Sequence, residues 1–440
     1  MSWRVVTVLL VAVFLAALIG CDYEETSHDG PPEPDGSEDV ADDDDEQTYA
    51  EPWNEAYSTP HVAIHSHRPG QILDASSAQI SGNVTGDVSS VAVDGQAVSL
   101  ENGAFEQVVA FESGNALREV YVSALDENYR IGAERIALYS GKAMPVDQAI
   151  PETLAISVAH LGLDFLEPLL DGLIEGINLD LPLGGITISQ GIGGFDVTDG
   201  NWTLDFEGNA VATDPIDAQW ERFSLGSEGQ RPALDGTVPA TGDPYDFALT
   251  INDDFVNRLL FAVVDAGLLN ADLDVKAGDL AGIFSSLSKV DPDMPGTLSL
   301  YAEAPPVVTF GANGLWLHLP DYRLQLKLNP QDHAPWTAFV ASIHLTLALD
   351  LQADGLNGVS IDLLQDDIHL VFTDNAIQES SPTLELVEML VGDIVFPVLD
   401  LVAGLLTIPP IEIGESALVP VWLGADGATS DFLSIYFIIE

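Results

Sequence analysis

The chain has 440 residues, of which 70 are Asp or Glu and only 13 are Lys or Arg, so its formal net charge is −57. A charge of this sign repels polyanions and excludes nucleic acid as a partner. The single cysteine, Cys21, excludes an internal disulfide framework and cysteine-based zinc or redox sites, whereas a hydrophobic content of 47% permits a large core and two to three domains.

Residues 1–20 have the pattern of a cleaved export signal. They carry one charge, Arg4, and an apolar run over residues 5–19 that is too short to span a bilayer comfortably. The run ends in the tetrad LIGC, which resembles a bacterial lipobox. The resemblance implies cleavage before Cys21 and attachment of fatty acyl chains, such as palmitate, to its thiol and new amino terminus. We therefore expect a lipoprotein anchored to a membrane of the bacterial cell envelope, facing the periplasm or the exterior.

The segment 21–60, which begins at the lipidated Cys21, is predicted to be a disordered tether. Its residues 22–60 contain 15 acidic side chains, no Lys or Arg, and frequent Pro, Gly and Ser. Like charges at this density extend a chain, and 39 flexible residues span roughly 35 Å. Residues 61–440 remain acidic, with 55 acidic against 12 basic side chains, a balance typical of proteins from salty habitats.

Residues 61–142 are predicted to form an all-β immunoglobulin-like sandwich. Seven short alternating segments, at 61–65, 78–84, 88–93, 97–100, 105–111, 118–124 and 135–139, have the spacing of an antiparallel sandwich. Their order resembles the bacterial immunoglobulin-like modules that space or support a neighbouring domain. His61, His65 and His67 share one strand face, and exposed strand histidines are favoured there over a metal site.

The remaining domain, residues 151–440, is predicted to contain three apolar helices. The first covers 153–177 and the third covers 381–406, both with apolar residues at helical spacing. The second begins after Asn252, whose side chain can cap it, and ends at Gly267. Acidic residues interrupt each apolar surface, so none is expected to be a transmembrane helix.

Four unusually long alternating strands accompany these helices, at 296–310, 314–328, 336–351 and 359–372. One side of each strand is apolar and the other polar, and His344 and His369 are predicted on the polar, wet sides. Strands of this length twist strongly. We therefore predict an elongated α+β antiparallel barrel wrapped around long apolar helices.

Three segments carry a family resemblance: 252–269 (NDDFVNRLLFAVVDAGLL), 291–317 and 383–414. In order and pattern they resemble the carboxy-terminal half of the bactericidal permeability-increasing and lipopolysaccharide-binding protein family, part of the tubular lipid-binding superfamily. That resemblance implies a barrel whose two long helices line a tunnel for acyl chains. The implied lipid-binding residues are Phe255, Leu259, Val263, Leu386, Leu390, Ile394 and Val398, each of which has ordinary core packing as its alternative role.

The chain also departs from this family. The family's first barrel is replaced by the immunoglobulin-like module, and a cationic tip has no counterpart among four lysines. Bactericidal or endotoxin-neutralising action is therefore not expected.

The sequence contains no nucleophile elbow, phosphate-binding glycine loop, paired helical histidines or dinucleotide fingerprint, so we expect no enzyme, no cofactor and no metal. The leading hypothesis is a lipoprotein that binds the acyl chains of a lipid for carriage or transfer. The alternative is a structural or adhesive envelope lipoprotein with a filled, ligand-free barrel. The identity of the lipid, the membrane, any protein partner and the oligomeric state stay open.

Overall fold

The computed structural model describes residues 60–111, 117–159, 181–183, 185–198, 200–216, 222–226, 230–311, 314–331, 333–353, 359–376, 411–413, 416–427 and 431–439. The predicted export signal, lipid attachment at Cys21, most of the tether, the third predicted helix and His369's side chain lie outside this description. The described part is mostly β-structure.

Residues 61–140 form eight strands in two sheets. The strands are β1 (His61–Ile64), β2 (Gln71–Leu73), β3 (Ser77–Thr85), β4 (Ser90–Val93), β5 (Gln96–Val98), β6 (Ala104–Ala110), β7 (Leu117–Leu125) and β8 (Ile131–Ser140). One sheet has the order β1-β3-β6 and the other β2-β8-β7-β4-β5. Inward residues such as Ile80, Phe105, Val120 and Leu138 form a core shared by both sheets. All seven predicted segments are strands, and β2, which pairs in parallel with β8, was missed.

A second, eight-stranded sheet follows, with the order β11-β12-β13-β10-β15-β24-β23-β22. Its strands are β10 (Ile150–Val158), β11 (Leu181–Leu183), β12 (Ile186–Thr198), β13 (Asn201–Ala212), β15 (Phe247–Asn252), β22 (Ile411–Ile413), β23 (Ser416–Asp426) and β24 (Phe432–Ile439). Beside it, β9 (Lys142–Pro145) pairs with β14 (Phe223–Gly226).

The predicted helix at 153–177 is wrong over its first turns. Residues 150–158 form the central strand β10, which pairs with β13 on one side and β15 on the other. Thr153, Ile156 and Val158 are β-branched and suit a strand flanked on both sides. The remainder of the predicted helix, beyond residue 159, lies outside the described residues.

The predicted helix after Asn252 is confirmed as α1 (Asp253–Asp265). The Asn252 side chain accepts a hydrogen bond from the backbone N–H of Asp254 at 2.9 Å. Gly267, two residues after the helix, has φ +71°, the left-handed conformation that ends helices and favours glycine. Every residue of α1 is buried, so the helix lies inside the molecule rather than on its surface.

A six-stranded sheet completes the fold. Its strands are β16 (Ala271–Lys276), β17 (Pro295–Ala302), β18 (Val307–Gly311), β19 (Gly314–Leu328), β20 (Trp336–Ala353) and β21 (Val359–Asn375), in the order β16-β17-β19-β20-β21 with β18 also paired to β19. Short helix α2 (Ala277–Leu280) and a 3-10 turn at Ser285–Lys289 cover one end of it. Three of the four predicted long strands are confirmed, whereas 296–310 is two strands because Pro305 and Pro306 interrupt the pairing.

Helix α1 packs between these two larger sheets. Its Val256, Leu259 and Val263 share one core with Ile188 and Ile251 of the eight-stranded sheet and with strands β18, β19 and β20 of the six-stranded sheet. The described strands form two open sheets around one long helix, and the closed barrel wrapped around several long helices is not part of what the structure describes. No helix within the described ranges is long and apolar enough to cross a bilayer.

Candidate functional site

One side of the eight-stranded sheet carries a continuous apolar layer, which we call the apolar face. Its buried members are Ile156, Val158, Trp202, Leu204, Phe206, Leu249, Ile435 and Phe437, and its partly buried members are Leu154, Phe247, Leu423 and Ile439. Strand register places them side by side, since Ile156 lies opposite Leu204 on one neighbour and Leu249 on the other. Along β10, β13 and β15 these residues alternate with polar or small residues, and a period of two points them to the same side of the sheet.

The two sides of this sheet are covered differently. Residues 230–246 pack over the far side, where Tyr245 contacts Tyr436 and donates a hydrogen bond to Ser157 at 3.1 Å. All twelve members of the apolar face, in contrast, belong to strands of this one sheet. Its eight buried members are nevertheless only 1% to 8% exposed, and Leu154 and Leu423 also pack against the core around α1, so most of the apolar face is covered.

The apolar face continues outward onto β12. Ile192, Phe195 and Val197 of this strand are exposed, and Phe195 and Val197 lie opposite Leu204 and Trp202 of the apolar face. The rings of Phe195 and Trp202 meet edge to face with centroids 6.0 Å apart. The apolar layer thus runs without a charged side chain from the buried centre of the sheet to a solvent-exposed strand.

Three of the predicted lipid-binding residues lie on α1. Phe255, Leu259 and Val263 are all buried within the core between the two larger sheets. Leu154 and Leu423 pack against both this core and the apolar face, so the three helix residues adjoin that face. The other four, Leu386, Leu390, Ile394 and Val398, lie outside the described residues.

The apolar face itself was not among the predicted site residues. Its signal was present in the sequence as the alternating apolar residues at 154, 156 and 158 and at 202, 204 and 206. The first of these runs lies inside the helix predicted at 153–177. Its period of two, which is typical of a strand, is therefore not recognised in the sequence.

Helix α1 is held in place by a buried arginine. Arg258 is fully buried and donates hydrogen bonds to Ser224 Oγ at 2.8 Å, Asn209 Oδ1 at 2.6 Å and the carbonyl of Gln148 at 3.0 Å. Burial lowers its pKa to about 10, although the charges of Asp254 and Asp147 partly oppose this shift. The guanidinium therefore stays charged at neutral pH.

Asn257, the residue before Arg258, bonds α1 to the six-stranded sheet. Asn257 donates to the carbonyl of Val308 at 3.1 Å and accepts from its N–H at 2.7 Å, as a neighbouring strand would. At the start of the helix, burial raises the pKa of Asp253 well above its usual range, and the charges of Asp254 and Asp431 add to this. These polar contacts fix the helix between the sheets.

A second polar cluster joins the first module, the two sheets of residues 61–140, to the six-stranded sheet. Glu119 of β7 pairs with Arg135 of β8 and with His344 of β20. The prediction that His344 lies on a wet face is wrong, because this contact leaves only 4% of it exposed. Burial alone would raise the pKa of Glu119, but the hydrogen bond from His344 and the charges of His344 and Arg135 hold it below its usual value.

Further bonds cross the same junction. Arg323 of β19 pairs with Glu134 of β8 at 2.9 Å, and the Tyr139 hydroxyl donates to the carbonyl of Pro305. Within β19, Asp321 also pairs with Arg323, at 2.8 Å. Within the described ranges, no three His, Cys, Asp or Glu side chains are arranged to hold a metal ion. The junction is an ionic contact between two parts of the chain.

Comparison with known proteins gives distant structural similarities. No protein-family model matches the chain, and no curated protein matches it either. The crystal structure of a lipopolysaccharide binding protein aligns with 86% of this chain and 87% of its own at 12% identity and a TM-score of 0.33. The titin domains Z1Z2 in complex with telethonin align with 44% of this chain and 88% of their own at 8% identity and a TM-score of 0.16. These values are too low to assign the chain to either class of protein.

Proposed function

We propose that this protein is a lipid-anchored protein of the bacterial cell envelope that binds the acyl chains of a lipid along the apolar face and carries or transfers them. The anchor is the lipid on Cys21, and the role is binding rather than catalysis. The observation that carries the proposal is the apolar face itself, a twelve-residue layer from a single sheet that continues onto an exposed strand.

The energetics of such a site favour acyl chains over polar ligands. Each methylene that leaves water gains about 0.8 kcal/mol, so a sixteen-carbon chain gains on the order of 12 kcal/mol without a specific head-group contact. Since no member of the apolar face is charged or carries a carboxylate or amide, the site selects for chain length more than for head group. The sequence resemblance to a lipid-binding family supports the same class of ligand.

The packing of α1 favours the alternative of a structural or adhesive lipoprotein with a filled interior. Phe255, Leu259 and Val263 are between 1% and 3% exposed and contact the core of both sheets. Side chains packed in this way need no ligand. The buried members of the apolar face are covered to a similar degree, at 1% to 8% exposed, so the two proposals differ in whether that face admits an alkyl chain.

Lipid uptake and a packing variant separate the two proposals. The full-length protein should release lipid on organic extraction and bind a fluorescent fatty acid. Leu204→Phe, on the apolar face, should weaken this binding while leaving the unfolding midpoint nearly unchanged, because the larger ring occupies space that the acyl chain otherwise fills. The control Leu326→Phe, in the core of the six-stranded sheet, should destabilise the protein by about 1–3 kcal/mol through overpacking.

Two results would contradict lipid binding. One is a protein that yields no lipid on extraction and takes up no fatty acid. The other is a Leu204→Phe variant as destabilised as Leu326→Phe, since that would show a solidly packed apolar face.

A further inference from the structure

We propose that the outer part of β12, residues 189–198, inserts its apolar side chains into the surface of a lipid bilayer and that acyl chains pass there between the bilayer and the apolar face. This inference rests on the proposed function, because it assigns the route by which that same face is filled. The inference is based on the outer part of β12, which is exposed, apolar on one side and continuous with the apolar face.

The exposure of this strand is large for apolar residues. Phe195 is 53% exposed and Val197 is 59% exposed, and Ile192 adds a third exposed apolar side chain on the same strand. Large apolar side chains that cluster on a surface mark contact with a protein, a ligand or a membrane. Here the cluster adjoins Leu204 and Trp202 directly, so an alkyl chain can slide from one to the other without crossing a polar side chain.

A bulge in β12 gathers these side chains on one side. Ile192 pairs with Phe206 and Gly194 pairs with Asp205, which leaves Gly193 as an extra residue. Ile192 and Phe195 are three apart and would point to opposite sides of a regular strand, but the extra residue restores them to the same side.

The other side of the strand stays polar. There the charge of Asp196 of β12 acts on Asp205 of the neighbouring strand β13, which pairs with Arg231 at 2.7 Å, and Glu207 of β13 lies opposite Gly191. In the described part of the chain, β11 pairs only with residues 186–188, so residues 189–198 form the outer edge of the sheet. An edge strand with one apolar and one acidic side suits a shallow position at a bilayer surface, with its carboxylates and free backbone groups in water.

A bilayer fits this edge better than a second copy of the chain does. Pairing two copies along their edges would bring Asp196 and Glu207 of each copy close to those of the other, in a protein whose net charge is already −57. The predicted tether, which spans roughly 35 Å from a lipidated Cys21, keeps the domain within reach of a membrane. The acidic side favours a zwitterionic over an anionic surface, because anionic lipids would repel it.

The test places a fluorophore on the strand. In the full chain carrying Cys21→Ser, an added cysteine is the sole thiol. An environment-sensitive fluorophore at Val197→Cys should shift its emission to the blue with phosphatidylcholine vesicles and be quenched by a quencher held in the acyl region. The matched control is Val108→Cys on the edge strand β6, where the valine is 61% exposed, and its fluorophore should not respond.

A transfer assay gives the functional consequence. Val197→Asp should slow the transfer of a fluorescent fatty acid from phosphatidylcholine vesicles about tenfold, which corresponds to about 1.4 kcal/mol, whereas Val108→Asp should leave the rate unchanged. Fatty acid supplied as monomers in water should bind both variants as it binds the unchanged chain.

The outcomes separate the two proposals. A fluorophore at position 197 that ignores vesicles overturns bilayer insertion, and so does one that responds to protein concentration without vesicles, since that would indicate pairing of copies. If monomeric fatty acid does not bind, the proposed function fails, while the fluorophore still reports insertion independently.

Discussion

At the scale of single residues, Arg258 joins several elements through five side-chain hydrogen bonds. It is fully buried, and besides Ser224, Asn209 and Gln148 it donates to the carbonyls of Pro145 at 2.8 Å and Met144 at 3.2 Å. These five acceptors are neutral, and the charges of Asp254 and Asp147 also stabilise the guanidinium. These acceptors belong to β9, β13, β14 and the turn before β10, so one side chain joins α1 to all of them.

We predict that Arg258→Met destabilises the full chain by about 3 kcal/mol, because the buried acceptors lose their donors and cannot reach water. The measurement is the shift in the unfolding midpoint in urea. Arg118→Met is the control, since Arg118 pairs with Asp94 at the surface and such pairs contribute about 1 kcal/mol or less. Equal shifts for the two variants would contradict the role given to Arg258.

At the scale of elements, nearby residues determine where α1 begins and ends, and the surrounding sheets then bury the helix. The cap at Asn252 and the left-handed Gly267 set its ends from within a few residues. The bulge at Gly193 in β12 works in the same local way, since one extra residue decides which side chains face the apolar side.

The cap gives a prediction for the element. Asn252→Ala should destabilise the protein by about 1 kcal/mol or more, because the N–H of Asp254 loses its acceptor in a buried position. Asn252→Ser keeps an acceptor oxygen and should recover most of that loss. Chemical denaturation of both variants measures the difference, and a serine variant no better than alanine would show that packing around Asn252, rather than the cap, sets the cost.

At the scale of the whole molecule, the junction between the first module, residues 61–140, and the six-stranded sheet contains titratable groups on both sides. His318 and His344 both contact Thr346, at 3.2 Å and 3.0 Å, and face Glu119 across the junction. Burial is the larger cause and repulsion from His344 the smaller one, and together they lower the pKa of His318 to about 4. The pKa of Glu134 is raised by burial, which the charge of Arg323 opposes only in part.

The sign of the pH dependence follows from these shifts. Unfolded His318 binds its proton near pH 6.5 and the folded form only near pH 4, so the unfolded state holds more protons between these values. The free energy of unfolding therefore falls as the pH is lowered through this window, by up to about 3 kcal/mol. Glu119 acts in the same direction in acid because its folded pKa is lowered, whereas Glu134 acts in the opposite direction.

We predict that His318→Asn flattens the loss of stability between pH 6.5 and pH 4 relative to the unchanged chain. The comparison between the two proteins cancels the contribution of Glu134, and Glu119 keeps its partners His344 and Arg135 in both. Unfolding midpoints measured across this range give the result, with His65→Asn, an exposed histidine of the first module, as the control. Parallel curves for His318→Asn and the unchanged chain would contradict the assignment.

Features set by near neighbours could be predicted from the sequence alone. They include the seven strands of the first module, three of the four long strands and the start and end of α1. Alternation, turn residues and caps depend on side chains a few positions apart, so a single sequence displays them. The lipobox pattern at Cys21 is equally local, and the anchor that it implies stays a prediction.

Tertiary structure decided what lies on each face of those elements. Residues 153–158 became a strand because β13 and β15 flank them, and His344 became buried because Glu119 lies across the junction. Such contacts join distant parts of the chain, as in the 189-residue separation between Arg323 and Glu134. Local periodicity shows that a segment has an apolar side, but only the assembled sheets determine which side is covered, and here they extend the apolar face to an exposed strand.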